Sequence, residues 1–197
     1  MLFVGGTHLA SEYGKTIDEI KSFNFAITHT FDYLLNDDHP SIISKSMAIA
    51  TNELSEIFKG YDFDIICVLG DRYELLPIIL NAILFRKPII HLFGGEKTEG
   101  VIDEQVRHMI TKSAHIHFAS CEQYVKNIKD MGEESWRVHN TGVLSADAII
   151  NREKISKKIL FNELGLTNNK RTILLNYHPV TLEYGITTFE QLSNIFK

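Results

Sequence analysis

The chain has no apolar run near the roughly 18 residues that a membrane span needs. Its start, Met1-Leu2-Phe3-Val4-Gly5-Gly6, lacks the basic end and long apolar middle of a signal peptide. No membrane partner is expected, and a cytoplasmic location is. Cysteine is scarce: the 197 residues include two, Cys67 and Cys121, without CxxC spacing. That excludes a disulfide framework and predicts reduced thiols packed in or beside apolar strands. Positive charge is also short, with 20 Lys and Arg against 25 Asp and Glu, a net charge of −5 and a pI near 6.0. No basic stripe stands out, so no nucleic-acid partner is expected. A small anionic ligand stays open, because backbone N–H groups at helix starts hold phosphate without net positive charge. Repeats, low-complexity tracts, a Walker A loop and a GxGxxG fingerprint are all missing.

What is present, 44% apolar and 23% charged residues, is the make-up of a globular chain with a sizeable core. Short apolar runs rich in β-branched residues predict strands at 2–4, 25–28, 64–69, 88–93, 115–120, 137–140 and 172–177. Continuous apolarity suits strands covered on both faces. Between them, apolar residues three or four apart predict helices over 41–58, 73–85, 103–113, 121–131 and 156–164. In the first, Ile43, Met47, Ala50, Leu54 and Ile57 form one stripe, the face that packs on a sheet. Such alternation predicts an α/β fold with a parallel, doubly wound sheet and right-handed crossovers. Composition turns polar over 151–171, which reads as a linker and helix between a unit at 1–150 and the beginning of a second at 172–197.

Ionisable residues cluster where predicted strands stop, the edge at which open α/β sheets bind ligands. Gly70-Asp71-Arg72-Tyr73-Glu74 ends one strand; Asp71 is either a helix cap contributing roughly 1 kcal/mol or a catalytic acid or base. Gly94-Gly95-Glu96-Lys97-Thr98-Glu99-Gly100 ends the next, its glycines allowing positive φ or close approach to a ligand. At the following helix start, Asp103 with Arg107 and Glu104 with His108 have i,i+4 spacing, which as exposed ion pairs would be worth only about 0.2–0.5 kcal/mol each. His115 and His117 share a strand face without a convincing third ligand, so no metal is assigned to them. His178, after the last predicted strand, stands where a cleft between two domains would open and could act as acid or base near neutral pH.

Taken together, Leu69-Gly70-Asp71-Arg72-Tyr73-Glu74, Pro88-Ile89-Ile90-His91, Gly94-Gly95-Glu96-Lys97-Thr98-Glu99-Gly100, Ile102-Asp103-Glu104-Gln105-Val106-Arg107-His108 and Asn176-Tyr177-His178-Pro179 closely resemble the hydrolysing UDP-N-acetylglucosamine 2-epimerases. The resemblance implies two Rossmann-like domains of the GT-B type. This chain would lack the first strand and helix of the N-terminal domain and most of the UDP-binding C-terminal one. It implies elimination of UDP through a 2-acetamidoglucal, then hydration to N-acetylmannosamine for sialic-acid-type synthesis, with no cofactor or metal. The implied catalytic residues are Asp71, Glu96, Asp103 and His178. The implied substrate-binding positions are His8, Arg72, Gly94, Gly95, Glu99, Arg107 and His108.

A UDP-sugar substrate and, for an intact protein, a homo-oligomer (dimer or tetramer) are expected. One departure from the pattern is Phe93, where some members carry a catalytic glutamate before the Gly-Gly pair. Two alternatives accompany this reading. One is the related branch acting on a UDP-linked 2,4-diacetamido-6-deoxy sugar on the way to legionaminic acid. The other is an inactive, truncated remnant.

Overall fold

A computed structural model describes residues 1–167, 171–178 and 187–196. Six short strands form among them: β1 (Phe3–Gly5), β2 (His29–Phe31), β3 (Ile66–Leu69), β4 (Ile89–Leu92), β5 (Ile116–Ala119) and β6 (Val138–Asn140). Every pairing is parallel, within two sheets ordered β1-β2 and β3-β4-β5-β6. The helices are α1 (Ile17–Ser22), α2 (Pro40–Gly60), α3 (Leu76–Leu84), α4 (Ile102–Ser113), α5 (Glu122–Asp130), α6 (Leu144–Asn151), α7 (Lys157–Glu163) and α8 (Thr188–Ile195).

Helices cover both faces of the larger sheet because each strand is followed by an amphipathic crossover. On one face α2, α3 and α4 lie side by side. Leu54, Ile57 and Phe58 of α2, Ile79 and Ala82 of α3, and Val106 and Ile110 of α4 close the main core over Val68 and Ile89. On the other face α5 packs Val125 and Ile128 against Ala119 and Val138. Local signals set the helix ends. Pro40 opens α2 behind His39, whose ring accepts the Ser41 N–H at 3.2 Å, and Pro77 lies in the first turn of α3, where a missing N–H costs nothing. Thr187 and Glu190 form a reciprocal capping box at α8.

Three expectations need correction. The second strand lies at His29–Phe31 instead of 25–28, because the ladder begins where the Thr28 N–H meets the Leu2 carbonyl at 2.8 Å; Phe25 is left 67% exposed. The 73–85 helix starts as a 3-10 turn, Tyr73–Leu75, before α3. Residues 172–177 form no strand: Ile173 and Leu174 are 89% and 93% exposed, and an apolar run without a neighbouring strand has no ladder to join. No helix among the described residues is long and apolar enough to cross a membrane.

The facing of α4 makes a clean test. Ile110, fully buried, and Met109, 54% exposed, are adjacent. Ile110→Ala is expected to cost about 2–5 kcal/mol and Met109→Ala under about 0.5 kcal/mol in urea denaturation. Equal costs would contradict the packing.

Candidate functional site

The loops after successive strands come together at the carboxyl edge of the sheets. Thr7 follows β1, Tyr33 follows β2 and Arg72-Tyr73-Glu74 follow β3, and all of them line one cavity of about 90 Å³. Burial pushes the Tyr33 phenol up to about 12, helped by the Glu74 charge. The exposed Arg72 guanidinium binds Glu74 through Nε at 3.0 Å. That hydrogen bond, with the charges of Glu74 and Asp103 nearby, holds Arg72 protonated above its ordinary range. His8, just before the cavity, is exposed and its Nδ1 lies 2.7 Å from Thr16 Oγ1.

Beside this cavity stands Arg107 of α4, only 2% exposed. Its Nη2 donates to the Asp71 carboxylate and, at 3.0 Å, to Thr98 Oγ1; its Nη1 donates to the Glu96 carbonyl at 2.8 Å and to Glu104 Oε2 at 3.0 Å. Glu104 Oε2 also accepts the Thr98 N–H at 2.6 Å. The Glu96 side chain turns to β5, where Ser120 Oγ donates to it at 3.0 Å. One buried guanidinium thus ties the β3 loop, the β4 loop and the first turns of α4 together.

Two readings of the sequence change accordingly. Asp71 caps no helix: the following 3-10 turn has Arg72 at its N-cap and no side-chain cap, because the Asp71 carboxylate is held by Arg107. Arg107 likewise takes Glu104 and Asp71 as partners, not Asp103, since a buried guanidinium needs several acceptors. Glu104 does meet His108, at 3.5 Å.

The strand-end turns are shaped from behind. Gly70 takes φ +85°, which favours glycine, and its carbonyl accepts from His91 Nε2 at 2.8 Å. A carbonyl only accepts, so Nε2 carries the proton and Nδ1 accepts from Thr111 Oγ1 at 3.2 Å. Burial pushes His91 down to about 4. Gly94 and Gly95 are buried. A Cβ on Gly95, already at φ +80°, would lie 2.4 Å from the Tyr124 carbonyl, and one on Gly94 would lie 2.9 Å from His91 Nδ1. Packing alone therefore demands both glycines. Phe93 before them has φ +65°, a strained position for a bulky residue.

Other candidates fall outside the Arg107 cluster. Asp103 is half-buried in the first turn of α4, close enough to act on Arg72, and Glu99 is exposed. His178 is exposed on irregular backbone, with no hydrogen bond or ion pair to a described residue; Pro179 lies outside the described residues. His115 accepts the Ile89 N–H at 3.2 Å. His117 is fully buried, 3.5 Å from Glu133, and burial lowers its pKa. Burial raises the Glu133 carboxyl, but Lys112 and Arg137 outweigh it and the group titrates below its usual range. Among the described residues no His, Cys, Asp and Glu group could hold a metal ion. Cys67 is exposed rather than packed, because its strand is an open edge. Tyr33, Thr111 and Ser120 were not singled out from sequence, and His91 and Thr98, though within the runs that resemble the family, were given no site role; His91, a polar residue within an apolar strand, was the one readable signal.

The sequence profile of the UDP-N-acetylglucosamine 2-epimerase family matches residues 1–197. The chain belongs to that family. It is 40% identical over 94% of its length to the GDP/UDP-N,N'-diacetylbacillosamine 2-epimerase (hydrolyzing) of Campylobacter jejuni, covering 48% of that protein. It is 33% identical over 91% of its length to the UDP-N,N'-diacetylbacillosamine 2-epimerase (hydrolyzing) of Legionella pneumophila, covering 48%. The chain therefore spans about half the length of the curated family members it matches. Its fold is similar to that of the Neisseria meningitidis UDP-GlcNAc 2-epimerase crystallised with UDP-GlcNAc, at TM-score 0.64 and 16% identity, over 76% of this chain and 47% of that one. The Arg107 cluster sits at the carboxyl edge of the larger parallel sheet of this fold.

Linkage gives the pH dependence of the turn behind Asp71. The folded pKa of His91 lies below its unfolded value of 6.5, so the unfolded chain binds more protons between those values. His91 therefore contributes stability that is complete above about pH 6.5 and lost as pH falls toward 4, by up to about 3 kcal/mol. Urea denaturation from pH 7.5 to 4 should show that slope and His91→Gln should flatten it; an unchanged slope in the variant would contradict the assignment.

Proposed function

We propose that this chain carries the sugar-side half of a hydrolysing 2-epimerase acting on a UDP-linked 2-acetamido sugar. Residues 1–150 form its partial Rossmann-like domain, 151–171 a linker with a helix, and residues from 172 the beginning of the UDP-binding one. The observation that supports it most is the convergence of Asp71, Glu96 and the α4 start on Arg107 at the carboxyl edge of a parallel sheet. Elimination of UDP across C1 and C2 requires a base for the C2 proton and a stabilised leaving group. Rehydration of the 2-acetamidoglucal requires a proton donor on the opposite face and an activated water.

In this assignment Asp71, fixed by Arg107, accepts a proton; Asp103 and Glu96 complete the proton traffic; and His178 enters from the second domain. Arg107, too buried to reach a ligand broadly, positions the two loops. Arg72, on the wall of the cavity, and His8, next to Thr7 in the chain, are assigned as substrate contacts, as are His108 and Glu99.

For the sugar itself, a 2,4-diacetamido-6-deoxy substrate is favoured over UDP-N-acetylglucosamine. Support comes from the two relatives named above, at 40% and 33% identity, although the polysialic acid biosynthesis protein P7 of Escherichia coli, at 35%, stands between them, and the UDP-N-acetylglucosamine 2-epimerase of Neisseria meningitidis follows at 28%. An apolar Phe93 beside the Gly-Gly pair suits a sugar without a 6-hydroxyl.

Incubating the chain with each UDP-sugar and following free UDP and the 2-epimerised sugar tests both points. UDP release is expected, faster from the diacetamido sugar, and Asp71→Asn should lower it by roughly two orders of magnitude while the circular dichroism stays unchanged. Release from neither sugar would overturn the activity, and preference for UDP-N-acetylglucosamine would overturn the substrate assignment alone.

A further inference from the structure

The cavity of about 90 Å³ past the ends of β1, β2 and β3 has walls of two characters. Leu34 and Leu35 from the β2 loop and Ile43 and Met47 from α2 make one side apolar. Ile43 and Met47 open the apolar stripe of α2, but the main core takes up its later members, Leu54 and Ile57. The first two are left half-buried against this space.

The other side is polar, and its charges are matched. Arg72, the one basic residue on the wall among those described, is tied to Glu74, its Nε 3.0 Å from Oε2. Asp37 accepts the His39 N–H at 2.7 Å. A phosphate would meet these acids without a free cation, which excludes it. Two hydrogen-bonding capacities stay unspent. The Tyr33 hydroxyl has no partner among the described residues, and burial with the Glu74 charge keeps it protonated, as a donor. The Glu74 carboxylate keeps lone pairs beyond those that Arg72 takes.

One donor, one acceptor and an apolar wall, in a space of about three water volumes, are the complement of a secondary amide that ends in a methyl group. A hydroxyl would satisfy the polar side and leave the apolar side facing water. An ammonium would pair with the acids, but it would lose its own hydration and leave the Tyr33 donor unmatched. The cavity adjoins the proposed reacting centre without containing it. Asp71 precedes Arg72 in the chain, yet its carboxylate turns to Arg107 and does not line the wall. A pyranose whose C2 meets Asp71 would reach the cavity with a substituent further round the ring, and the one at C4 points away from the UDP at C1.

We infer that this cavity receives an acetamido group at C4 of the substrate sugar, its carbonyl accepting from Tyr33, its N–H donating to Glu74 and its methyl packed on Ile43 and Met47. The inference rests on the proposed activity and names the part of this chain that selects the substrate.

Two ligands that differ by one acetyl group test it: a UDP-linked 2,4-diacetamido-6-deoxy sugar and its counterpart with a free amine at C4. Saturation-transfer NMR titrations give their dissociation constants and need no turnover. The diacetamido sugar should bind about tenfold more tightly. Ile43→Phe, which fills the cavity, should abolish that ratio and leave the constant of the amine unchanged. Tyr33→Phe, which keeps the ring and removes the donor, should cut the ratio about fivefold, and it carries the test if circular dichroism shows Ile43→Phe to be unfolded. Equal affinities, tighter binding of the amine, or a ratio that survives either folded variant would overturn the acetamido assignment alone. Binding of neither ligand to the unsubstituted chain would overturn the proposed activity, and the inference with it.

Discussion

A single buried cation holds the carboxyl edge of the larger sheet together. Arg107 is almost wholly withdrawn from water, and a guanidinium in that position needs acceptors of fixed geometry; both terminal nitrogens have them, while Nε has no hydrogen-bond partner among the described residues. The acceptors come from three segments: Asp71 after β3, the Glu96 carbonyl and Thr98 hydroxyl after β4, and Glu104 one turn back on α4 itself. Removing either carboxylate leaves the buried cation less well compensated in a low-dielectric setting. The constraint therefore acts in both directions, with the loops fixing the arginine and the arginine fixing the loops.

The sheet beneath supplies what the cation cannot. His91, neutral and buried at the centre of β4, bonds the Gly70 carbonyl on one side and Thr111 of α4 on the other, so the turn bearing Asp71 is set by the core. Gly94 and Gly95 then let the β4 loop pass hard against that histidine and α5. The consequence for chemistry is preorganisation: the acidic side chains of the proposed proton relay are presented by turns whose backbone is already committed.

Much of this was legible in the chain itself, and the reasons for the rest are physical. Four strands of the larger sheet and the helices between them followed from apolar runs and helical periodicity, and the clusters at residues 70–74 and 94–108 marked the carboxyl edge. The partner of Arg107 was not legible, because i,i+4 spacing names only neighbours on one helix, whereas burial favoured an acid 36 residues away. His91 could be seen as an odd polar residue in a strand, but its role depended on a carbonyl in another turn. Residues 172–177 had strand composition and no partner strand, which composition cannot reveal. The exposure of Cys67 has the same origin, since an apolar strand is buried only when both of its edges and faces are occupied.

The account stands or falls on whether Asp71 and Arg107 are energetically one unit. A double-mutant cycle with Asp71→Asn, Arg107→Met and the double variant, read from urea unfolding free energies, measures that directly. A coupling above about 1 kcal/mol is predicted for a buried charged pair. Additive effects, within about 0.5 kcal/mol, would show that the two side chains act independently and contradict the account.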